Sequence, residues 1–280
     1  MSWTLWSPIN SLFRKLSPLR HREQQQRGVS SASPTLYLPI KLNDTILPKV
    51  GVFIPEHFQH TAALNLIVYF HGNIEPFCKT EPAPFKTKGI EYYLDTPLFR
   101  CLREELSASK ANAILIAPTL SIKFGSVNPS WSPRYGNLNE DGKFDYLINE
   151  TLTRLKGSEA LPPDAQASKI ILSAHSAGGV AMMKILAASN VLKANIAECW
   201  GFECLYFGTD TWKAWLSANA NKQFRHFRQL TEQGEPTNEL KNHDNFIDIP
   251  NGSSHCSLLK ENWREAIDKS GTLHPTDAIA

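Results

Sequence analysis

The string Ala174-His175-Ser176-Ala177-Gly178-Gly179 sets a serine between an apolar run, Ile170-Ile171-Leu172, and a helix-like segment, Gly179-Val180-Ala181-Met182-Met183. A strand turning sharply into a helix would leave the Ser176 hydroxyl projecting from the end of a sheet, where a nucleophile is useful. The small residues two places to either side, Ala174 and Gly178, would let strand and helix approach closely around that turn. The competing reading is a plain Gly/Ser-rich turn. A serine hydroxyl attacks poorly at neutral pH unless a base takes its proton. His255, in Asn251-Gly252-Ser253-Ser254-His255-Cys256, is the best candidate, on a loop between the last strand-like run and the final helix. A solvated loop histidine is the alternative there. A carboxylate would orient that imidazole and stabilise its protonated form. Glu203, at the end of Ala197 to Phe202, is the first choice and Glu232 the alternative acid, with Asp210, Glu235, Asp244 and Asp248 behind them. His175 is read as a packing or supporting residue that points away from Ser176.

These side chains need a scaffold, and the apolar pattern supplies one. Leu36 to Leu38 and Val50 to Ile54 read as early or edge strands. Leu64 to Phe70, Ala113 to Pro118 and Ile170 to Ala174 are short, nearly continuous apolar runs, as expected of strands buried on both faces. Ile196 to Phe202, His226 to Leu230 and Phe246 to Ile249 follow. Helical stripes lie between them: residues 96 to 110, Phe144 to Leu155 ended by Gly157, Ala177 to Ser189, and Thr211 to Ala220. A last stripe at 257 to 269 closes the chain. Strands separated by helix-length segments predict an α/β architecture, a mostly parallel central sheet flanked by helices. In such sheets ligands lie beyond the carboxyl ends of the strands. His71, Ser176, Glu203, Glu232 and His255 all fall at or just after such ends.

The segment 120–139, with Pro129, Trp131, Pro133, Gly125 and Gly136, reads as an extended lid or binding loop, because unstructured connections of this length are uncommon inside a domain. Its Trp131, Phe124 and Tyr135, together with Phe207, could wall a substrate pocket, since aromatics supply apolar area with few rotatable bonds. They could equally pin the loop to the scaffold.

With 280 residues, 42% of them hydrophobic, the chain can build one large core, expected over 35–280 as a single domain. The 29 basic and 27 acidic residues leave a formal charge of +2, which gives no field favouring nucleic acid. Residues 1–34 read as an amphipathic segment, with Trp3, Trp6, Ile9, Phe13 and Leu16 at helical spacing, followed by a flexible connector. Peripheral membrane contact through residues 3–16 and packing on the chain's own domain both remain open. The positive charges follow the apolar residues, an arrangement unlike a secretory signal. The five cysteines show no zinc-like spacing, and their odd number favours a reducing compartment, hence a cytoplasmic expectation with membrane association open. No oligomeric state can be read.

His71-Gly72-Asn73 after a central strand, Ala174 to Gly178 around a serine, and His255 after the last strand together resemble the α/β-hydrolase superfamily, serine esterases and lipases in particular. The likeness covers about residues 36 to 270. Ala174 departs from its pattern, which has glycine there. The resemblance implies the α/β-hydrolase fold and the order serine, acid, histidine. It further implies an oxyanion site built from the backbone of Ala177 and of Asn73 or Gly72. Glu203 would then occupy an alternative acid position, one strand before the usual one that Glu232 would fill. The implied activity is hydrolysis of a small-molecule carboxylic ester or acyl substrate through an acyl-enzyme. An amidase or peptidase of the same fold, or a non-catalytic binding protein built on it, are the alternatives. No phosphate loop, His-Glu-x-x-His motif or dinucleotide turn is present, so no cofactor or metal is expected.

Overall fold

The computed structural model describes residues 34–42, 49–72, 89–96, 99–120, 137–230 and 236–274. Its centre is the apolar strand β3 (Ala63–Phe70). The side chains of β3 alternate between two cores: Leu66, Val68 and Phe70 enter one, Ile67 and Tyr69 the other. This is the period-two consequence of a pleated strand covered on both faces. Each such buried aliphatic or aromatic side chain contributes about 1.5–3 kcal/mol.

The sheet also contains β1 (Leu36–Leu38), β2 (Val50–Phe53), β4 (Ile114–Pro118), β5 (Gln166–His175), β6 (Ile196–Phe202), β7 (Gln223–Gln229) and β8 (Phe246–Asn251), in the spatial order β1-β2-β4-β3-β5-β6-β7-β8. β2 pairs antiparallel with β1 and β4, and the remaining neighbours pair in parallel. The helices are α1 (Ile90–Asp95), α2 (Cys101–Ser109), α3 (Lys143–Gly157), α4 (Gly178–Ala187), α5 (Thr209–Ala218), α6 (Asn238–Lys241) and α7 (Leu258–Asp268). α3, α4 and α5 cover one face through Phe144, Leu147, Met182, Ile185 and Trp212. α1, α2 and α7 cover the other through Tyr93, Leu102, Leu258 and Trp263.

The strand expectations are met with small shifts of boundary. β6 has the predicted limits, whereas β7 begins three residues earlier than expected and β8 runs two residues longer. Two helices were not foreseen. α1 is only six residues long, and α6 only four, too short for a periodic stripe to register.

Register sets the functional edge. Phe70 pairs with Ala174, His175 with Phe202, Phe202 with Phe227, and Gln229 with Asn251, so the carboxyl ends of β3, β5, β6, β7 and β8 are level. Near the opposite edge, buried Glu198 of β6 accepts from Trp200 Nε1 (3.0 Å), Arg225 (3.0 Å), the Ser270 hydroxyl (2.9 Å) and the Thr272 N–H (2.8 Å). A buried carboxylate is tolerated when it is saturated in this way. The cluster ties the segment after α7 to the sheet.

Cys256 is disulfide-bonded, while Cys101, Cys199 and Cys204 are free and buried. No described helix is long and apolar enough to cross a membrane. The amphipathic segment expected over 1–34 lies almost wholly outside the described residues, as does most of the loop expected over 120–139.

Candidate active site

Ser176 immediately follows β5 and has φ of 53°, the left-handed region that L-residues other than Asn and Asp rarely enter. Its N–H continues the parallel ladder by donating to the Phe202 carbonyl (2.9 Å). α4 starts two residues later, and the turn can be this tight because Gly178 has no side chain: a Cβ there would lie 2.2 Å from the Phe70 carbonyl oxygen. The methyl of Ala174, where the elbow pattern has glycine, is accommodated inside the buried end of β5.

Glu203 repeats this geometry on the next strand. It follows β6, has φ of 46°, and its N–H donates to the Phe227 carbonyl (2.7 Å). Since His175 and Phe202 are register partners, Ser176 and Glu203 stand side by side one residue beyond the sheet. The Glu203 carboxylate is buried and lies 2.8 Å from His255 Nδ1. A carboxylate accepts, so Nδ1–H is the donor here; in the neutral ring that tautomer leaves the lone pair on Nε2, as a general base requires.

The β8–α7 loop carrying His255 is fastened from several sides. Asn251 Nδ2 donates to Asn262 Oδ1 of α7 (2.7 Å), and the Ser253 hydroxyl bonds both Asn251 and Glu261. His175 Nε2–H donates to the His255 carbonyl (3.0 Å), with the two rings 4.8 Å apart. His175 is buried, and that burial, reinforced by the neighbouring His255, lowers its pKa to about 3. The ring is therefore a neutral strut between the residue preceding Ser176 and the backbone of His255. Of the described hydrogen bonds of His255, none reaches the Ser176 hydroxyl. Such bonds often tighten only when substrate is bound.

The turn after β3 closes the group. A Cβ on Gly72 would lie 2.8 Å from Ser176 Cβ, so this turn rests directly on the elbow. His71 is buried and accepts the Leu120 N–H at Nε2 (2.8 Å), which leaves Nδ1–H to donate to the Gly72 carbonyl (2.8 Å). Burial lowers its pKa to about 4. Ala177 caps α4, where the first N–H groups have no partner within the helix.

The structure thus brings together Ser176, His255, Glu203, Ala177 and Gly72. Glu232, Glu235, Asn73, Trp131, Phe124 and Tyr135 lie outside the described residues. Asp210 and Asp244 are exposed, and Asp248 is held by both oxygens at Arg228 Nε (3.0 Å each). Phe207 lies four residues after Glu203 and is 55% exposed rather than enclosed. An open cavity of about 380 Å³ lined by His60, Lys156 and Leu161 lies near the amino-terminal ends of β3 and β5, away from these groups. Tyr93 of α1, whose hydroxyl donates to the Gly72 carbonyl (2.6 Å), is a neighbour of the site that the sequence did not single out, its only signal an aromatic pair in a short segment.

No family model and no curated protein matches the sequence. Among solved structures, esterase 2 from Thermogutta terrifontis, phosphonylated by sarin, superposes with a TM-score of 0.51 at 12% identity, covering 91% of this chain and 99% of that one. A CE1 ferulic acid esterase from Anaeromyces mucronatus, in complex with ferulic acid, gives 0.50 at 12% identity over 88% and 93% of the two chains. With the strand order and the single reversed strand β2, this decides the architecture. The chain has the α/β-hydrolase fold. In an α/β-hydrolase fold the strand-to-helix turn after β5 presents a residue at the top of the sheet, which is where Ser176 stands. The same fold brings the loop after β8 over that turn, which is where His255 stands.

Proposed function

We propose that the chain is a serine hydrolase that cleaves carboxylic esters through an acyl-enzyme intermediate. The observation that carries this reading is the 2.8 Å contact of His255 Nδ1 with buried Glu203, made beside a left-handed Ser176 on the same sheet edge. His255 Nε2 takes the Ser176 proton as Oγ attacks the ester carbonyl, and Glu203 stabilises the imidazolium that forms. Charge developing on the carbonyl oxygen is met by the Ala177 N–H and by the turn at Gly72. His255 then gives the proton to the leaving alcohol, and water, activated by the same nitrogen, releases the acid. These steps require neither metal nor redox group. The two neighbours named above are esterases by name, which supports ester over amide substrates.

A fluorophosphonate probe and turnover of short-chain nitrophenyl esters test the proposal. Labelling is expected to disappear in Ser176→Ala and persist in Ser173→Ala, whose hydroxyl is buried in β5. Glu203→Gln is expected to lower kcat by about 10²- to 10⁴-fold, the scale on which a triad loses its orienting carboxylate. A larger loss in Glu232→Gln would move the acid one strand along. Absence of labelling and turnover in the folded chain would point instead to a binding protein on this fold.

A further inference from the structure

The loop that carries His255 leaves from the far side of the sheet. β8 is an edge strand, three places from β5 in the spatial order, so the loop must return across β7 and β6 to reach Ser176. Most of its described bonds do nothing to bring it there, because they stay within the loop or reach its own helix: Asn251 to Asn262, Ser253 to Asn251 and Glu261, Ser254 to Ser257. Among the described hydrogen bonds of residues 252–257, two cross to β5 and to the end of β6, and both fall on His255. Glu203 holds the side chain at Nδ1 (2.8 Å), and His175 holds the main chain by donating Nε2–H to the His255 carbonyl (3.0 Å).

A carbonyl oxygen only accepts, so the hydrogen sits on Nε2 of His175 and the bond has one direction. The His175 ring is 3% exposed, lies 6.5 Å from the Phe99 ring, and faces the His255 ring at 4.8 Å and 31°. A ring so enclosed keeps one rotamer and delivers its donor to one point. His175 also precedes Ser176 directly, so the anchor of the base and the turn of the nucleophile are joined by a single peptide bond. With its main chain held from position 175 and its Nδ1 held from position 203, the imidazole is fixed at both ends by the strands that carry Ser176 and Glu203. We infer that His175 is a positioning residue for His255, holding its backbone so that Nε2 is presented to the Ser176 hydroxyl. The inference rests on the hydrolase reading above. It goes further in making the nucleophile's own neighbour, through a main-chain carbonyl, set where the base stands.

Substitutions at position 175 separate the hydrogen bond from the packing. His175→Phe keeps a buried ring and removes the donor, His175→Gln keeps a donor at about the reach of Nε2, and His175→Asn puts its amide one bond short. Misplacing a reacting group by about 1 Å can cost 10²-fold, and Glu203 still holds the other end of the ring, so His175→Phe is expected to lower kcat on a short-chain nitrophenyl ester about 10-fold. KM should stay within about twofold, because the base contributes to the transition state and not to ground-state binding. His175→Gln should recover most of the lost kcat, and His175→Asn should not. Since His175 and Glu203 act on one ring, their losses should not add: in a Glu203→Gln background, His175→Phe should cost less than about threefold. A merely structural role predicts equal losses for His175→Gln and His175→Asn and full additivity with Glu203→Gln. Unchanged kcat in His175→Phe, equal kcat in the two amide variants, or additive losses each overturn the inference. If His175→Phe fails to fold, His175→Asn takes its place in the comparison with Glu203→Gln, under the same requirement. Fluorophosphonate labelling of the unaltered chain is measured alongside. If that labelling is absent, the hydrolase reading falls and takes this one with it, whereas labelling without a His175 effect removes only the positioning role.

Discussion

At the scale of single residues, the candidate site carries its cost in backbone conformation. Ser176 and Glu203 both hold left-handed φ values, 53° and 46°, where an L-residue is disfavoured by about 1–2 kcal/mol. The fold tolerates this because neighbouring strands lock both N–H groups to Phe202 and Phe227. Ser176→Gly is therefore expected to lose all turnover and gain stability on the order of 1 kcal/mol in urea unfolding. Ser176→Ala, equally inactive but still left-handed, should stay near the parent. Equal midpoints for the two variants would show that the turn is not strained. Ser176, Glu203 and His255 were legible as candidates because each ends or follows an apolar run. The contact between Glu203 and His255 was legible only as the first of two choices, ahead of Glu232, since it depends on where a loop 52 residues away returns.

At the scale of elements, the loop between β8 and α7 is held by side chains from α7, by His175 of β5, and by the disulfide at Cys256. The bond adjoins His255, so cutting it frees one neighbour of the imidazole while the hydrogen bonds remain. Mild reduction of the folded chain is expected to lower kcat several-fold and to be reversed by reoxidation, and disulfide loss generally costs about 2–4 kcal/mol of stability. Cys101, Cys199 and Cys204 are buried thiols and should not contribute. Turnover unchanged after complete reduction, checked by mass, would show that the hydrogen bonds alone hold the loop. Spacing could not have revealed this bond, because cysteine pairing depends on which loops the fold brings together. α1 was missed for a related reason: its six residues owe their helix to packing of Ile90, Tyr93 and Leu94, not to a local repeat.

At the scale of the whole molecule, three buried histidines couple stability to pH. Burial lowers the pKa of His71 to about 4, of His175 to about 3, and of His226 below its ordinary value. In the unfolded chain each returns to about 6.5. Below about pH 6.5 the unfolded state binds protons that the native state refuses, so stability falls as pH falls, by about 1.4 kcal/mol per pH unit for each histidine fully engaged. Urea midpoints taken between about pH 7 and pH 4.5 should decline steadily, and a flat profile would contradict the burial of these rings. The architecture was the most legible level, because nearly continuous apolar runs separated by helical stripes admit few arrangements other than a covered parallel sheet. Burial was legible for His175, read as a packing residue, but not for His71 and His226, since a histidine after or within a strand reads the same whether it is solvated or enclosed.

The paired left-handed residues also leave a trace for evolution. On the hydrolase proposal, selection for turnover would make positions 176 and 203 keep side chains that their backbone disfavours. Once that selection lapses, both positions are released together and drift should carry them to glycine, the residue that their φ values favour. Among descendants of this gene, joint glycine at 176 and 203 would mark lineages that kept the scaffold after abandoning the chemistry.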